Sequence, residues 1–393
     1  MNFPERFSNL PDYTFSRLRA LLDPLEPGGE VVDMSIGEPK HDFPPWVADV
    51  IAANAAGFRG YPPNNGTPEL LGAVTAWIGR RHGVDMDPDR NVMALNGTRE
   101  GLYNAAMALC PETKGGGRPV VLCPNPFYQV YMVAGLSVGA EPYFVSATAE
   151  TGHLPDYSAL PADILNRTAL AYVCSPANPQ GAVASDDYWT RLIGLAERHD
   201  FRILADECYS EIYRDTAPTG VLSAARDMDA DPERVLLFNS LSKRSNLAGL
   251  RSGFVAGGVD AIRRIKQLRA YSGAPLPGPL QAAAARAWTD EAHVAENRAL
   301  YHEKYRLADE ILGGLRGYTP PEAGFFLWLP VDDGEAAAAK LWRETGVRVL
   351  PGAYLAQGPA GQNPGERYIR VAMVAPKTEL RRGLTMIRDC VYE

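Results

Sequence analysis

The sequence predicts an α/β fold: a large domain with a mostly parallel sheet flanked by helices, plus a smaller α+β domain. Three observations carry this. Short apolar runs alternate with longer helical stretches over most of the chain. Several runs are continuously apolar, as strands buried on both faces of a parallel sheet are. After about residue 290 the pattern changes to a long charged helix and then strand-like segments.

The expected strands are 91–95, 120–123, 142–145, 169–174, 201–205, 235–238 and 253–256. Helical stretches lie between them, including 68–82, 99–109, 186–199 and 261–270. This alternation is the signature of α/β architecture. Beyond it come a helix over 291–312 and strands at 324–329 and 368–374. The reading is a large domain over residues 46–290. Residues 1–45 and 291–393 form the small domain, joined by the N-terminal arm. No internal repeat or low-complexity linker interrupts the chain.

With 393 residues, 46% hydrophobic and 22% charged, the chain can bury a large core. Its formal net charge of −8 argues against nucleic acid and anionic membranes as partners, so an anionic ligand must be met by local positive charge. The five cysteines (Cys110, Cys123, Cys174, Cys208 and Cys390) are odd in number and contain no C-x-x-C pair. Neither a disulfide framework nor a metal site is expected, and a cytoplasmic setting is. Residues 1–10 include Pro4, Glu5 and Arg6 and have no apolar core, unlike a signal peptide. No run approaches the ~18 apolar residues of a membrane span.

Polar clusters follow the expected strands. They are Asn96-Gly97-Thr98-Arg99, Pro124 to Tyr128, Ser175-Pro176-Ala177-Asn178-Pro179, Asp206-Glu207-Cys208-Tyr209 and Asn239 to Lys243. Open α/β sheets bind ligands outside the carboxyl ends of their strands, so these clusters are expected to converge on one crevice. Each has a plain reading when taken alone: a loop lysine, a helix cap, a turn, a core aromatic. Together they have a chemistry. Lys243, among Ser240 and Ser242, can form an imine with an aldehyde cofactor. The two hydroxyls and Arg251 supply donors for a phosphate. Asp206, ending an apolar run, can pair with a protonated pyridine nitrogen and keep the ring an electron sink. Tyr209 and Asn178 can hydrogen-bond a phenolic oxygen, and Tyr128 can stack on the ring. Gly97, Thr98 and Arg99 open a helix, whose N-terminus is an anion site.

This combination resembles the class I/II aminotransferases of the fold-type I enzymes that use pyridoxal 5'-phosphate. The carrying residues are Asn178-Pro179-x-Gly181, Asp206-x-x-Tyr209, Ser240-x-Ser242-Lys243, Gly249-x-Arg251-x-Gly253 and Arg370, over essentially the whole chain. The resemblance implies that Lys243 holds the cofactor as a Schiff base and shuttles the proton, assisted by Asp206 and Tyr209. It assigns the phosphate to Gly97, Thr98, Arg99, Ser240, Ser242 and Arg251. The remaining cofactor contacts are Tyr128, Asn178 and Tyr209. Arg370 would bind the substrate α-carboxylate, with Gly37 packing over it and Asn178 beside it. Tyr61 would reach the phosphate of a partner subunit, which implies a homodimer. Substrates would be small amino and keto acids.

Five further stretches are similar to the bacterial N-succinyldiaminopimelate aminotransferases of lysine biosynthesis: residues 96–100, 123–131, 206–213 and 240–246, and 350–355 with 363–365. That family moves an amino group between glutamate and N-succinyl-2-amino-6-oxopimelate. Its substrate has more than one carboxylate, so a second cation is expected, with Arg17, Arg19, Lys40 and Arg244 as candidates. The rival readings are a general aspartate or aromatic aminotransferase, a carbon–sulfur β-lyase, and a non-catalytic regulator that binds the cofactor.

Overall fold

The computed structural model describes residues 4–8 and 10–393. Residues 1–3 and 9, part of the N-terminal stretch read above, lie outside the described residues. Strand β1 (Val32–Asp33) precedes the main sheet. The main sheet contains β2 (Val92–Leu95), β3 (Val120–Asn125), β4 (Glu141–Ser146), β5 (Thr168–Cys174), β6 (Arg202–Asp206), β7 (Val235–Ser240) and β8 (Gly253–Gly257). Its order is β2-β8-β7-β6-β5-β3-β4. Every pair is parallel except the two made by β8, which runs against both neighbours.

Both faces of this sheet are covered, which is why its strands read as apolar runs. The alternation of side chains divides each strand between two cores. Val92 and Ala94 join the core that contains Trp77, Trp189 and Trp288. Met93 and Leu95 face the opposite layer, with Leu102, Tyr131 and Ile262. Helix limits follow from local signals. Thr67 caps the helix Pro68–His82 by accepting from Leu70 N–H, and Gly83 ends it at φ +64°. Ser185 caps Asp186–His199 in the same way.

After the helix Ala292–Leu312 come β9 (Phe326–Pro330), β10 (Val347–Arg348), β11 (Leu350–Pro351) and β12 (Tyr368–Ala372). β11, β12 and β9 form an antiparallel sheet, while β10 pairs with β1. A third core lies here, containing Met34, Leu327, Leu329 and Val371. Tyr209 and Ile212, which follow β6, pack into it, so the segment after the central strand is gripped from the second sheet. Among the described residues, no helix is long and apolar enough to cross a membrane.

Candidate active site

Parallel strands β3, β5, β6 and β7 end at Asn125, Cys174, Asp206 and Ser240. Because β8 runs the other way, it begins where they finish: its Gly253 pairs with Leu95 of β2 and Ser240 of β7. Arg251, two residues upstream, is thereby delivered to the same edge. A cavity of about 370 Å³ opens there, lined from the main sheet by Thr98, Tyr128, Asp206, Ser240, Ser242, Lys243 and Arg251. The second sheet contributes Phe326 and Arg370, and the N-terminal segment contributes Tyr13, Phe15, Gly37 and Glu38.

Lys243 sits on a single helical turn, Leu241–Arg244, directly after β7. Its Nζ donates to the carbonyl of Gly37 at 2.6 Å and lies 5.4 Å from the Phe325 ring centre. Burial lowers its pKa to about 8, helped by the Arg370 charge. An amine in this range is partly neutral near physiological pH and therefore nucleophilic. Gly37 is required here for space: a Cβ on it would run into the Phe326 ring.

Asp206 is buried on the cavity floor, and burial raises its pKa. Tyr131 Oη donates to Asp206 Oδ2 at 2.9 Å, and Cys208 N–H donates to Oδ1 at 3.4 Å. Tyr131 is itself stacked on Tyr172, with centroids 4.5 Å apart. A carboxyl so placed is oriented, desolvated and suited to a cationic partner.

The phosphate-binding expectation gathers at one corner. Gly97 has φ +81°, and a side chain there would strike the Arg251 guanidinium. Arg251 is fixed by donating to Ala248 O at 2.9 Å and Asn96 O at 3.2 Å. Thr98 Oγ1 lies 3.1 Å from Cys208 Sγ, which in turn lies 3.6 Å from Ser240 Oγ. Arg99 diverges from this group. Its side chain turns to Tyr128, where Nε donates to Oη at 2.5 Å.

Arg370 projects from β12 and is only 4% exposed. Nη2 donates to Ser35 O at 2.8 Å, and Nη1 donates to Asn178 Oδ1 at 3.1 Å. Its Nε has no partner, and no carboxylate contributes to its surroundings among the described residues. Burial accordingly lowers its pKa to about 10. A buried cation with no counter-ion in the protein is a place for an anion. Tyr209 stands beside it, edge-on to Phe325 and Phe326 at 5.3 and 5.8 Å.

Thus twelve of the fourteen expected site residues line the cavity: Gly37, Thr98, Arg99, Tyr128, Asn178, Asp206, Tyr209, Ser240, Ser242, Lys243, Arg251 and Arg370. Gly97 backs it through Arg251. Tyr61 is fully exposed on this chain and does not line the cavity. None of the four candidates for a second cation lines it either. Arg244 is buried against Trp288, bonded to Ala287 O and Glu291. Arg17 lies over the Tyr354 ring and Arg19 donates to Ser16. Sequence reasoning missed the role of Tyr131 and the wall formed by Tyr13, Phe15 and Phe326. Tyr131 had one signal: it lies three residues after Tyr128, one helical turn away on Gln129–Ser137.

The site fits pyridoxal phosphate. It offers an amine of lowered pKa, a buried carboxyl opposite a tyrosine-flanked space, and a cup of hydroxyls with an arginine at a helix start. The buried, unpaired Arg370 adds a seat for a substrate anion. Fold and site together define an enzyme of the pyridoxal phosphate type.

Comparison with known proteins narrows this. The family model for aminotransferase class I and II matches residues 29–387. An LL-diaminopimelate aminotransferase of Dehalococcoides mccartyi is 32% identical, over 99% of both chains. One of Moorella thermoacetica is 31% identical, over 99% of this chain and 98% of the other. The crystal structure of an aminotransferase from Neisseria meningitidis superposes with a TM-score of 0.94 at 37% identity, covering 98% of this chain and 99% of that one. The chain belongs to the class I and II aminotransferases, pyridoxal phosphate-dependent enzymes acting on amino and keto acids.

Proposed function

We propose that this aminotransferase moves an amino group between glutamate and a diaminopimelate-class substrate, as a cytoplasmic homodimer in lysine biosynthesis. The observation that carries the transamination is Arg370, a buried guanidinium with no acidic partner among the described residues, in a cavity shared with the Lys243 amine. The diaminopimelate class is supported by relatives that match along their full length and bear that name. They are named for LL-diaminopimelate, whereas the local motifs resemble the N-succinyl enzymes. We take free LL-diaminopimelate as the first reading and the N-succinyl compound as the second. Division into a large domain of residues 46–290 and a small one of 1–45 and 291–393 belongs to the same proposal.

In this reading the residues act as follows. Arg370 clamps the substrate α-carboxylate through its two terminal nitrogens. Asn178 and the Ser35 carbonyl hold the guanidinium in place. Gly37 lets the Ser35 to Glu38 loop approach closely enough to close over that carboxylate. Lys243 Nζ would hold the cofactor and then carry the α-proton as base and acid. When bound, pyridoxal phosphate supplies the electron sink for the pair left at the α-carbon. Asp206, oriented by Tyr131, would pair with the cofactor's ring nitrogen and favour its protonated form. Arg251, Ser240, Ser242 and Thr98 would hold the phosphate, and Tyr128 would stack on the ring. Tyr209 and Phe326 exclude water from the reacting side. Tyr61 completes the phosphate site of the second subunit.

The test is glutamate formation from 2-oxoglutarate with LL-diaminopimelate, N-succinyl-LL-diaminopimelate, aspartate, an aromatic amino acid and cystathionine as separate donors. The proposal expects free LL-diaminopimelate to have the highest kcat/KM. The N-succinyl compound in first place supports the second reading. Aspartate or an aromatic donor in first place overturns the substrate class. Turnover of cystathionine without a keto acid would favour a lyase.

A further inference from the structure

We infer that Asn297 is a positioning residue: it ties the turn that carries Lys243 to the segment that covers the substrate, and holds that segment in place once Lys243 is bonded to the cofactor. The inference goes beyond the reading above and rests on it for the roles of Lys243 and Arg370. Residues 36–42 lie at the cavity without helix or strand, and among the described residues none of them makes a backbone–backbone hydrogen bond. Three side-chain bonds hold them. Lys243 Nζ donates to Gly37 O at 2.6 Å, His41 Nδ1 lies 2.9 Å from Asn297 Oδ1, and Asn246 Nδ2 donates to Asp42 O at 3.1 Å. Just upstream, Ser35 O accepts from Arg370. A shift of the segment therefore disturbs the substrate arginine as well.

Asn297, on the helix Ala292–Leu312, is 4% exposed and serves both sides. The helical turn Leu241–Arg244 ends on the carbonyls of Lys243 and Arg244, which no backbone N–H reaches among the described residues. Asn297 Nδ2 donates to them at 3.3 and 3.4 Å. Carbonyl oxygens only accept, so the orientation of the amide is fixed. Oδ1 faces the other way and accepts from His41 Nδ1 and, at 3.2 Å, from Asn246 Nδ2. Both donors and both acceptor positions of this buried amide are thus in use. The His41 ring also packs on Tyr301, with centroids 4.7 Å apart, and Tyr301 stacks on Phe325 at 5.6 Å.

Cofactor binding changes this balance. Condensation of the neutral Lys243 amine with the cofactor aldehyde forms a C=N bond. The aldehyde oxygen leaves as water with both amine hydrogens, and the bond to Gly37 O goes with them. The segment then keeps only the bonds at His41 and Asp42. Both lead to Asn297, because Asn246 Nδ2 bridges Asp42 O and Asn297 Oδ1. Asn297 in turn grips the carbonyl of Lys243 itself. One side chain therefore keeps Ser35 and Gly37 in register with Arg370 and Lys243 while the amine is engaged.

The test is hydrogen–deuterium exchange over residues 36–42 in wild type, Asn297→Leu and His41→Phe, each with and without pyridoxal phosphate. Steady-state kinetics with glutamate as donor run beside it. His41→Phe keeps a ring on Tyr301 and removes only the bond to Asn297. Without cofactor, the Lys243 bond to Gly37 O is present in all three proteins, and exchange is expected to be similar. With cofactor, both variants should exchange roughly tenfold faster than wild type, the effect of losing one buried hydrogen bond. KM for glutamate should rise by about the same factor with kcat nearly unchanged, since the segment acts on substrate binding. Combining the two substitutions should add little to either alone. Faster exchange with and without cofactor alike would show a merely structural role and overturn the inference, as would additive effects in the double variant. Lys243 left unlabelled by borohydride overturns the reading of the site and this inference together. Lys243 labelled, with exchange unchanged in the cofactor-loaded variants, overturns the inference alone.

Discussion

Arg370 and Lys243 show how burial converts common side chains into reagents. Replacing Arg370 by lysine keeps a charge but removes the fork and its bonds to Ser35 O and Asn178. We expect kcat/KM to fall by roughly two orders of magnitude, about 3 kcal/mol, for every amino donor, as loss of a buried charged hydrogen-bond partner does. Unchanged steady-state kinetics would remove Arg370 from substrate binding. For Lys243 the sign of the pH effect can be worked out. In the unfolded chain it titrates at the ordinary 10.5, in the folded protein at about 8. Burial of the charged form costs stability below pH 8, and this cost fades as pH rises from 8 to 10.5. Lys243→Met should therefore stabilise the cofactor-free protein at pH 7, with the gain shrinking towards pH 10.5 in chemical denaturation. Uptake of added pyridoxal phosphate by the wild type should accelerate through pH 8, and borohydride should fix it to Lys243. At this scale much was legible, because an aldehyde, a pyridinium, a phosphate and a carboxylate each demand a particular residue type. Less legible was the direction of Arg99, whose side chain turns to Tyr128, twenty-nine positions away.

Two elements decide how those residues meet. The turn into the helix Thr98–Leu109 needs Gly97, at φ +81° and against Arg251. Gly97→Ala should cost roughly 1–2 kcal/mol in local strain and displace Arg251, so cofactor is lost on dialysis more readily than from the wild type. Full retention would show that this corner does not bind the phosphate. The helix Gln129–Ser137 places Tyr131 one turn behind Tyr128 and under Asp206. Tyr131→Phe removes one buried hydrogen bond of about 1 kcal/mol and should lower kcat several-fold with little change in KM, since Asp206 is left in place but less firmly oriented. An altered KM with unchanged kcat would argue against a role through Asp206. The strands of the main sheet were visible as apolar runs because both their faces are covered. Helices Gln129–Ser137, Gly278–Thr289, Gly334–Thr345 and Lys377–Ile387 did not stand out in the sequence. The first of them is apolar nearly all round, so it has no polar face to mark its period.

At the scale of the whole molecule, Tyr61 stands outside the cavity of its own chain. It is fully exposed, with Phe58 also largely exposed nearby in sequence. Our proposal expects sedimentation at twice the chain mass of 42.7 kDa. Tyr61→Phe should then weaken cofactor binding without altering the fold seen by circular dichroism. A fully active monomer would overturn it. By itself the sequence determined the α/β class, the edge at which chemistry gathers and the cofactor. Strand burial writes itself as apolar runs, and the reacting groups follow those runs within a few residues. Only the tertiary structure decided which cation faces which anion. Arg370 and Ser35 lie 335 positions apart, and Lys243 and Gly37 lie 206 apart. Neighbouring residues Lys243 and Arg244 point into different environments, one to the cavity and one to the core. A side chain's direction is set by the turn of its helix and the packing of distant segments, and neither is written in the few residues around it.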